Sequence, residues 1–295
     1  MTSMTALTGI SRLLMLLCCA LLFPLSAIKA GEQPIPIFDA HIHYNADVWE
    51  VLPPARVLEK LTEAGITRAL VSATPTEGAE TLYRLAPERV IPLLRPYASR
   101  SGRYTWFRDE TTPPYLRERL TRIPYRGIGE FHVFGDDART TVVAEVIRLA
   151  REHQLALHAH TDRAGMTVIL EQAPDIPVIW AHAGFDVPVA ILRHLLNEHG
   201  QLYLELSFRE GITRDGKLRP EWEDLFTDFP QRCLIGMDTY IPGRWAELVD
   251  LAEVARGWLR QLPPAIAAGI AFGNAERLFL APDRGPTPAS GKDGS

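Results

Sequence analysis

Short apolar runs alternate with segments of helical spacing along most of the chain. An apolar run rich in β-branched residues predicts a strand that is buried on both faces. Eight such runs occur, namely Ile35–His41, Ala69–Ala73, Val90–Pro96, Gly127–His132, Leu155–His160, Val178–His182, Leu202–Ser207 and Cys233–Asp238. Between them, apolar residues recur every three to four positions, which indicates helices; the clearest example is Val142, Val143, Val146, Ile147 and Ala150.

The alternation of strands and helices implies a parallel sheet with right-handed crossovers. Eight such units in about 250 residues have the size of a closed barrel, so we predict an α/β fold, a (β/α)8 TIM barrel over residues 31–282. A doubly wound open sheet is the alternative. The segment Ala98–Pro124 is longer than a βα unit requires and is rich in aromatic residues. It predicts either a lid or pocket wall, or a surface excursion whose aromatic side chains pack on the barrel.

The two ends of the chain differ in composition from the predicted barrel. Residues 1–30 combine Arg12, an apolar run over residues 13–23 and small residues up to Ala30, which is the layout of a secretory signal peptide. The run is shorter than the ~20 residues that span a bilayer, which favours cleavage over retention as a membrane anchor. We therefore expect a periplasmic or secreted protein with no stable membrane span in its mature chain. Residues 283–295 predict a disordered tail.

Charge and cysteine content narrow the class of protein. The net charge of −5 at pH 7 offers no basic surface for nucleic acid. Removal of the signal segment would leave Cys233 as the one cysteine, so no internal disulfide is possible. Such a chain is compatible with an oxidising compartment. The composition is that of a globular enzyme or binding protein, and we expect its partner to be a small molecule.

The strongest chemical signal is the tripeptide His41-Ile42-His43 at the end of the first predicted strand. Side chains two apart on a strand project from the same face, so one metal ion can bind both imidazoles. A lone HxH is a weak signal. Here, further histidines and carboxylates also end predicted strands: Glu130 and His132 on the fourth, His158 and His160 on the fifth, His182 on the sixth and Asp238 on the eighth.

The carboxyl ends of barrel strands converge on one rim, which is where active sites of this fold are built. Ligands far apart in the sequence would then lie within reach of one ion. Each histidine alone would more often be a hydrogen-bonded core or rim residue, but together they predict a metal centre. Several nitrogen donors with a carboxylate suit Zn²⁺, and manganese, iron and nickel are compatible with the same donors. We expect one or two divalent ions, with Zn²⁺ favoured.

Several motifs together resemble the amidohydrolase superfamily. They are the HIH of residues 41–43, the GIGE of residues 127–130, the histidines that end strands five and six, the GMD of residues 236–238 and the GNAERLF of residues 273–279. The resemblance covers essentially the whole chain after the signal segment. It is greatest to the amidohydrolase-related (type 2) branch of metal-dependent hydrolases, which also includes decarboxylases of the aminocarboxymuconate-semialdehyde type. GIGE is also similar to a motif of TatD-type hydrolases, whose glutamate joins the metal site.

The resemblance implies a role for each of these residues. His41 and His43 would hold the first metal, and His182 would bind a metal or touch the substrate. Asp238 would be a ligand that also shuttles protons, and Glu130 would bridge two metals if two are bound. Catalysis is therefore expected from Asp238, His182 and Glu130.

The fifth strand departs from the family pattern because His158 and His160 share a face and either could be the ligand. We expect His160, nearer the rim, to bind the metal. His158 would brace the site through a hydrogen bond. Arg95 is a candidate clamp for a substrate carboxylate. His132, on the same face as Glu130, would contact the substrate or lie at the surface.

The expected function is hydrolysis of a C–N, C–O or P–O bond in a small molecule by a metal-activated water. A bound metal lowers the pKa of water to about 7. Asp238 would take the proton and return it to the leaving group. Non-oxidative decarboxylation by the same ligands is the alternative, but the possible second-metal ligand Glu130 and the predicted export favour hydrolysis. A non-catalytic metal-binding barrel is a third hypothesis, which predicts gaps in the ligand set.

Overall fold

Eight parallel strands follow one another in chain order in the computed structural model, which describes residues 34–280. Each strand pairs in parallel with the next. The strands are β1 (Ile37–His43), β2 (Ile66–Ser72), β3 (Val90–Leu94), β4 (Gly127–His132), β5 (Ala156–His160), β6 (Val178–Trp180), β7 (Leu202–Glu205) and β8 (Cys233–Leu234). A small antiparallel hairpin, Thr213–Arg214 with Lys217–Leu218, follows β7.

Backbone hydrogen bonds join the last strand to the first. The Ala40 amide donates to the Ile235 carbonyl, and the Asp238 amide donates to the His41 carbonyl, both at 2.7 Å. An open sheet would leave the outer edges of its first and last strands unpaired, whereas these two bonds join those edges. The predicted (β/α)8 barrel is therefore confirmed, and the doubly wound open sheet is wrong.

Asp39 is a fully buried carboxyl group at this seam. Its Oδ1 accepts hydrogen bonds from the backbone amides of His41 and Met237, each at 3.0 Å. Burial raises the pKa of Asp39 to about 8, so the group is mostly uncharged at neutral pH. Asp39 thus ties β1 to the segment after β8 with little added negative charge.

A register shift in β1 determines which side chains face the inside of the barrel. Phe38 and Ala40 belong to a core cluster that the barrel strands share, whereas Ile42 belongs to the larger cluster between strands and helices. Strict alternation from Phe38 and Ala40 would therefore turn His41 outward. The pairing with β2 shifts between residues 39 and 42, and the shift lets His41 and His43 face the same interior.

Helices surround the strands and supply the outer half of the core. They are α1 (Ala46–Trp49), α2 (Pro54–Glu63), α3 (Glu77–Leu85), α4 (Thr112–Arg119), α5 (Thr141–Glu152), α6 (Arg163–Gln172), α7 (Val189–Glu198), α8 (Pro220–Asp228), α9 (Pro242–Ala246), α10 (Leu248–Leu259), α11 (Pro264–Ala268) and α12 (Asn274–Phe279). Across residues 34–280, none of the helices has the length and apolar character needed to cross a membrane.

Several strands end earlier than the sequence predicts, and two of these early ends lie at site residues. β6 ends at Trp180 and β8 at Leu234, although the apolar runs continue to His182 and Asp238. Both of these residues have left-handed backbone, with φ of 60° at His182 and 49° at Asp238. Side chains in this conformation occur mainly where surrounding structure holds them, often at functional sites. His182 and Asp238 therefore lie on turns that follow the strands and not on the regular strands themselves.

The long segment after β3 contains two short 3₁₀ turns, Arg100–Tyr104 and Trp106–Arg108, before α4 begins. Trp106 and Phe107 are buried, and the Trp106 indole donates to the His132 carbonyl at 2.8 Å. The second turn packs its aromatic side chains on the barrel, as in the surface-excursion interpretation. The first turn stays at the surface and contributes Arg103 to the wall of the pocket.

The GNAERLF motif closes the opposite end of the barrel. The Phe279 ring of α12 joins the inner core cluster and lies 6.3 Å from the Phe38 ring. The Asn274 side chain donates to the carbonyls of Cys233, at 2.8 Å, and Pro230, at 3.0 Å. The motif therefore holds β8 in place through hydrogen bonds and fills this end of the core with the Phe279 ring. The predicted signal segment and tail, residues 1–30 and 283–295, lie outside the described residues.

Candidate metal centre

His41 and His43 present their Nε2 atoms to each other at 3.0 Å, and both side chains are buried. Each ring is held from behind through Nδ1. The Nδ1 of His41 donates to Glu205 Oε2 at 2.7 Å, and that of His43 lies 2.8 Å from the Ser72 hydroxyl. With Nδ1 of His41 bound to Glu205, Nε2 is the nitrogen left to bind a metal. Two imidazole nitrogens converging in this way fit a shared divalent cation.

Asp238 supplies a carboxylate beside this pair. Its Oδ1 lies 3.2 Å from Nε2 of His43 and 3.7 Å from Nε2 of His41. The same oxygen is buried and has no hydrogen-bond partner among the described residues. A buried carboxylate oxygen without a partner is costly unless a cation satisfies it. The donor set therefore fits a divalent metal ion.

His182 directs its Nε2 atom toward the space between Asp238 and Glu130. Its Nδ1 lies 3.0 Å from the backbone carbonyl of Ser207, so Nδ1 is the protonated nitrogen. Nε2 then offers a lone pair, 3.9 Å from Asp238 Oδ2 and 3.7 Å from Glu130 Oε1. An imidazole held through Nδ1 in this way is oriented to bind a metal through Nε2.

Glu130 lies on the other side of the pair, with Oε2 3.1 Å from Nε2 of His43. Both of its oxygens have partners. Oε2 accepts from the Arg95 guanidinium at 3.0 Å, and Oε1 accepts from Nδ1 of His160 at 2.8 Å. His160 is thereby held at the wall of the pocket, with a fifth of its side chain exposed.

His158 lies below His41, with the two rings edge to face and 4.6 Å apart. A bracing hydrogen bond is expected of His158, but its Nε2 is buried and has no hydrogen-bond partner within residues 34–280. Burial holds the pKa of His158 well below its usual value, so the ring is neutral. Its contact with His41 is therefore one of packing.

Four combinations of donors place one ligand atom each within 4.8 Å of the others. They are His41 with His182 and Asp238, His41 with His43 and Glu130, His41 with His158 and Glu205, and Glu130 with His160 and His182. His41 belongs to three of the four. The structure thus brings together all six predicted metal ligands, and it groups both candidate histidines of β5 with other donors.

The carboxylates of the centre are ionised at neutral pH. Burial alone would raise the pKa of Asp238, but the imidazoles of His41 and His43 outweigh it and hold that pKa well below its usual range. The same balance, with imidazoles on several sides, lowers the pKa of Glu130. Burial also lowers the pKa of His132 to about 2, so that ring is neutral. Burial alone would lower the pKa of His41, but the carboxylates of Asp238, Glu205 and Glu130 outweigh it and hold that pKa well above its usual value. The centre therefore offers negative charge to a cation, which would take the place of the extra proton on His41.

Arg95 and His132, the predicted substrate contacts, lie at the edge of the same centre. The Arg95 guanidinium is 1 % exposed and, besides Glu130, approaches the ring nitrogens of His43 to 3.0 and 3.1 Å. Its charge is therefore already paired within the protein. The His132 ring stacks on that of His160, with centroids 4.1 Å apart.

A cavity of about 240 Å³ opens above these groups. Its lining contains seven of the nine predicted site residues, whereas His41 and His158 lie beneath it. The cavity is lined by His43, Arg95, Arg103, Glu130, His132, His160, His182, Phe185, Phe208, Asp238 and Tyr240. The candidate metal ligands form its floor. Three aromatic residues that are 38–42 % exposed, Phe185, Phe208 and Tyr240, border it.

Glu205 is a candidate from the sequence either to line the pocket or to fill the barrel, and the structure places it below the cavity. It is fully buried beneath His41 and also accepts from the Ser207 hydroxyl, at 2.9 Å, and the His182 backbone amide, at 3.1 Å. Burial alone would raise its pKa, but the interaction with His41 lowers the pKa of Glu205 to about 2. A side chain at Gly236 would collide with this carboxylate, so the glycine of GMD makes room for it.

A family model described as amidohydrolase matches residues 38–280 of the chain. The chain belongs to this amidohydrolase family. With the ligand set described above, membership makes it an enzyme of the amidohydrolase superfamily, a metal-dependent hydrolase or close relative. A search of curated proteins found no significant match.

Several solved structures share the barrel. An amidohydrolase from Burkholderia multivorans with bound Hepes is 16 % identical, with a TM-score of 0.52 over 84 % of this chain and 100 % of that one. A putative 2-pyrone-4,6-dicarboxylic acid hydrolase from Pseudomonas putida is 14 % identical, with a TM-score of 0.56 over 83 % and 98 %. A β-aspartyl dipeptidase from Fervidobacterium islandicum is 15 % identical, with a TM-score of 0.52 over 84 % and 73 %. At these identities the likeness concerns the fold.

The position of Glu205 generates a prediction about metal affinity. A Glu205→Gln variant of this enzyme keeps the shape of the side chain but removes the anion that accepts the Nδ1 proton of His41 and orients the ring. We expect metal affinity to fall roughly 10–100-fold, as is typical when such an outer partner is lost. Titration of metal-free protein against a chelating dye measures the change. Glu210→Gln, at an exposed carboxylate on the same segment, is the control; equal affinity in both variants would contradict the role of Glu205.

Proposed function

We propose that this amidohydrolase is an exported enzyme that hydrolyses a C–N, C–O or P–O bond of a small molecule, with one Zn²⁺ ion as its cofactor. The observation that carries the proposal is the convergence of the His41 and His43 Nε2 atoms, 3.0 Å apart, beside the unpartnered Oδ1 of Asp238. With His182, these residues would hold the ion.

The pairing of Glu130 favours one ion over two. A carboxylate that bridges two metals uses both oxygens for them, but those of Glu130 already bind Arg95 and His160. The Arg95 guanidinium supplies positive charge on the side where a second ion would be required. Glu130 therefore serves to orient His160 and to balance the charge of the centre.

A divalent ion in this position would polarise a carbonyl or phosphoryl oxygen and lower the pKa of water to about 7. The residues of the chain do the rest. Asp238, ionised and facing the cavity, accepts the proton of the attacking water at Oδ2, the oxygen not assigned to the ion, and delivers it to the leaving group. His132 and His160, stacked at the wall, position the substrate. Phe185 and Phe208 limit access of bulk water to the centre.

Substitution of Asp238 separates metal binding from catalysis. Asp238→Asn keeps one oxygen donor but removes the base, so we expect about one equivalent of metal to be retained while turnover falls ~10²–10⁴-fold. His41→Ala should lose metal and turnover together. Elemental analysis and an assay panel of amides, lactones, phosphoesters and aromatic acids measure both quantities.

Asp136→Asn, at a carboxylate whose side chain is 98 % exposed, is the control. An Asp238→Asn protein with native turnover would contradict the assigned role. Release of CO₂ from an aromatic acid, without hydrolysis of the other classes, would instead support the decarboxylase. Full metal content with no turnover of any compound would support a non-catalytic barrel.

Export is proposed from residues 1–30. Cleavage after the small residues that end at Ala30 should give a mature N-terminus near Gly31 in the periplasmic or secreted fraction. N-terminal sequencing of that fraction tests the expectation. Recovery of the intact chain from the cytoplasm, beginning at Met1, would show that export is wrong.

A further inference from the structure

Arg103 is a cation of the pocket that forms no ion pair with any residue the structure describes. It lies in the first 3₁₀ turn after β3, is half-buried and lines the cavity above the metal centre. The other two arginines of these turns form ion pairs, Arg100 with Asp47 at 2.7 Å and Arg108 with Asp137. Among the described residues, no carboxylate lies within ion-pair distance of Arg103.

The immediate surroundings of Arg103 are neutral. Its Nε is buried without a hydrogen-bond partner in the described part of the chain. The phenols of Tyr97 and Tyr104 are its polar neighbours, and burial raises the pKa of Tyr97 to about 12, so that phenol stays uncharged. Glu130 is the one carboxylate with an electrostatic effect on Arg103 among those described, and its two oxygens are already bound by Arg95 and His160.

An unpaired guanidinium in a partly buried position has lost some of its hydration without a compensating ion pair, and an anionic ligand would restore the balance. The planar fork of arginine matches the two oxygens of a carboxylate. Arg95, in contrast, is almost fully buried and already paired with Glu130. Of the two arginines that line the cavity, Arg103 is therefore the one available to a ligand.

The rest of the cavity limits the size and shape of that ligand. About 240 Å³ is below the roughly 300–1,000 Å³ of pockets that hold drug-sized molecules. Phe185 packs against the His182 ring at 4.3 Å and Phe208 at 5.8 Å, and the two residues are 42 % and 39 % exposed, although the Arg244 guanidinium covers one face of Phe208. Their exposed surfaces suit a small planar or apolar body, held between the metal centre and Arg103.

We propose that Arg103 determines substrate specificity by binding a carboxylate, so that the enzyme acts on small organic acids and discriminates against their neutral counterparts. The proposal rests on the hydrolytic function proposed above and specifies its substrate class. The carboxylate would be bound by Arg103, while the scissile group lies against the histidines and Asp238.

Matched pairs of substrates test the proposal. For the bond class that the panel shows to be cleaved, an acid is compared with its carboxamide counterpart. We expect the native enzyme to prefer the acid. Arg103→Met should raise KM for the acid roughly 10–100-fold, as for loss of a charge-assisted hydrogen bond, with little change in kcat and none in KM for the amide. Arg100→Met, in the same turn but paired with Asp47, is the control and should behave as native.

Equilibrium binding keeps the test independent of turnover. Calorimetric titration of the metal-loaded protein with benzoate and with benzamide should show tighter binding of benzoate, weakened in Arg103→Met but not in Arg100→Met. Absence of benzoate binding, equal binding of the two probes, or equal benzoate affinity in all three proteins would overturn the proposal. If no panel compound is hydrolysed but benzoate binding depends on Arg103, the hydrolytic function fails and the anion site stands.

Discussion

The metal centre depends on the seam at which the last strand of the barrel meets the first. The hydrogen bond from the Asp238 amide to the His41 carbonyl, 2.7 Å long, is part of this seam. It fixes the backbone of a proposed base directly beside that of a proposed ligand, although nearly two hundred positions separate them in the sequence. Asp39 strengthens the same seam through two further hydrogen bonds. Barrel closure and assembly of the centre are therefore one structural event.

Glu205, a buried carboxylate below the seam, orients two of the proposed metal ligands. Glu205 has lost all contact with solvent, and such a charge is unfavourable unless several donors satisfy it. His41, Ser207 and the His182 backbone provide those donors, and His41 in return is fixed with Nε2 facing the cavity. The free energy that stabilises Glu205 in the core thus also orients two metal ligands. Gly236 leaves the space that this arrangement requires.

The sequence predicts the barrel and the members of its centre because both follow from short-range patterns. Buried parallel strands read as apolar runs, and the ligands follow those runs directly. Other features depend on tertiary packing. The sequence places Glu205 on a predicted strand but does not show that it lies beneath His41, and the left-handed backbone of His182 and Asp238 carries no glycine signal. Likewise, nothing local distinguishes Arg103 from Arg100 or shows that one faces the cavity and the other an aspartate.

The position of the bound ion tests the account most directly. Crystals of the enzyme grown with zinc, measured on both sides of the zinc absorption edge, would locate the metal by its anomalous scattering. The account predicts one strong peak at roughly 2.0–2.2 Å from the Nε2 atoms of His41, His43 and His182 and from a carboxylate oxygen of Asp238. A peak bound instead by His158 and Glu205, or a second full-occupancy peak between Glu130 and Arg95, would contradict it.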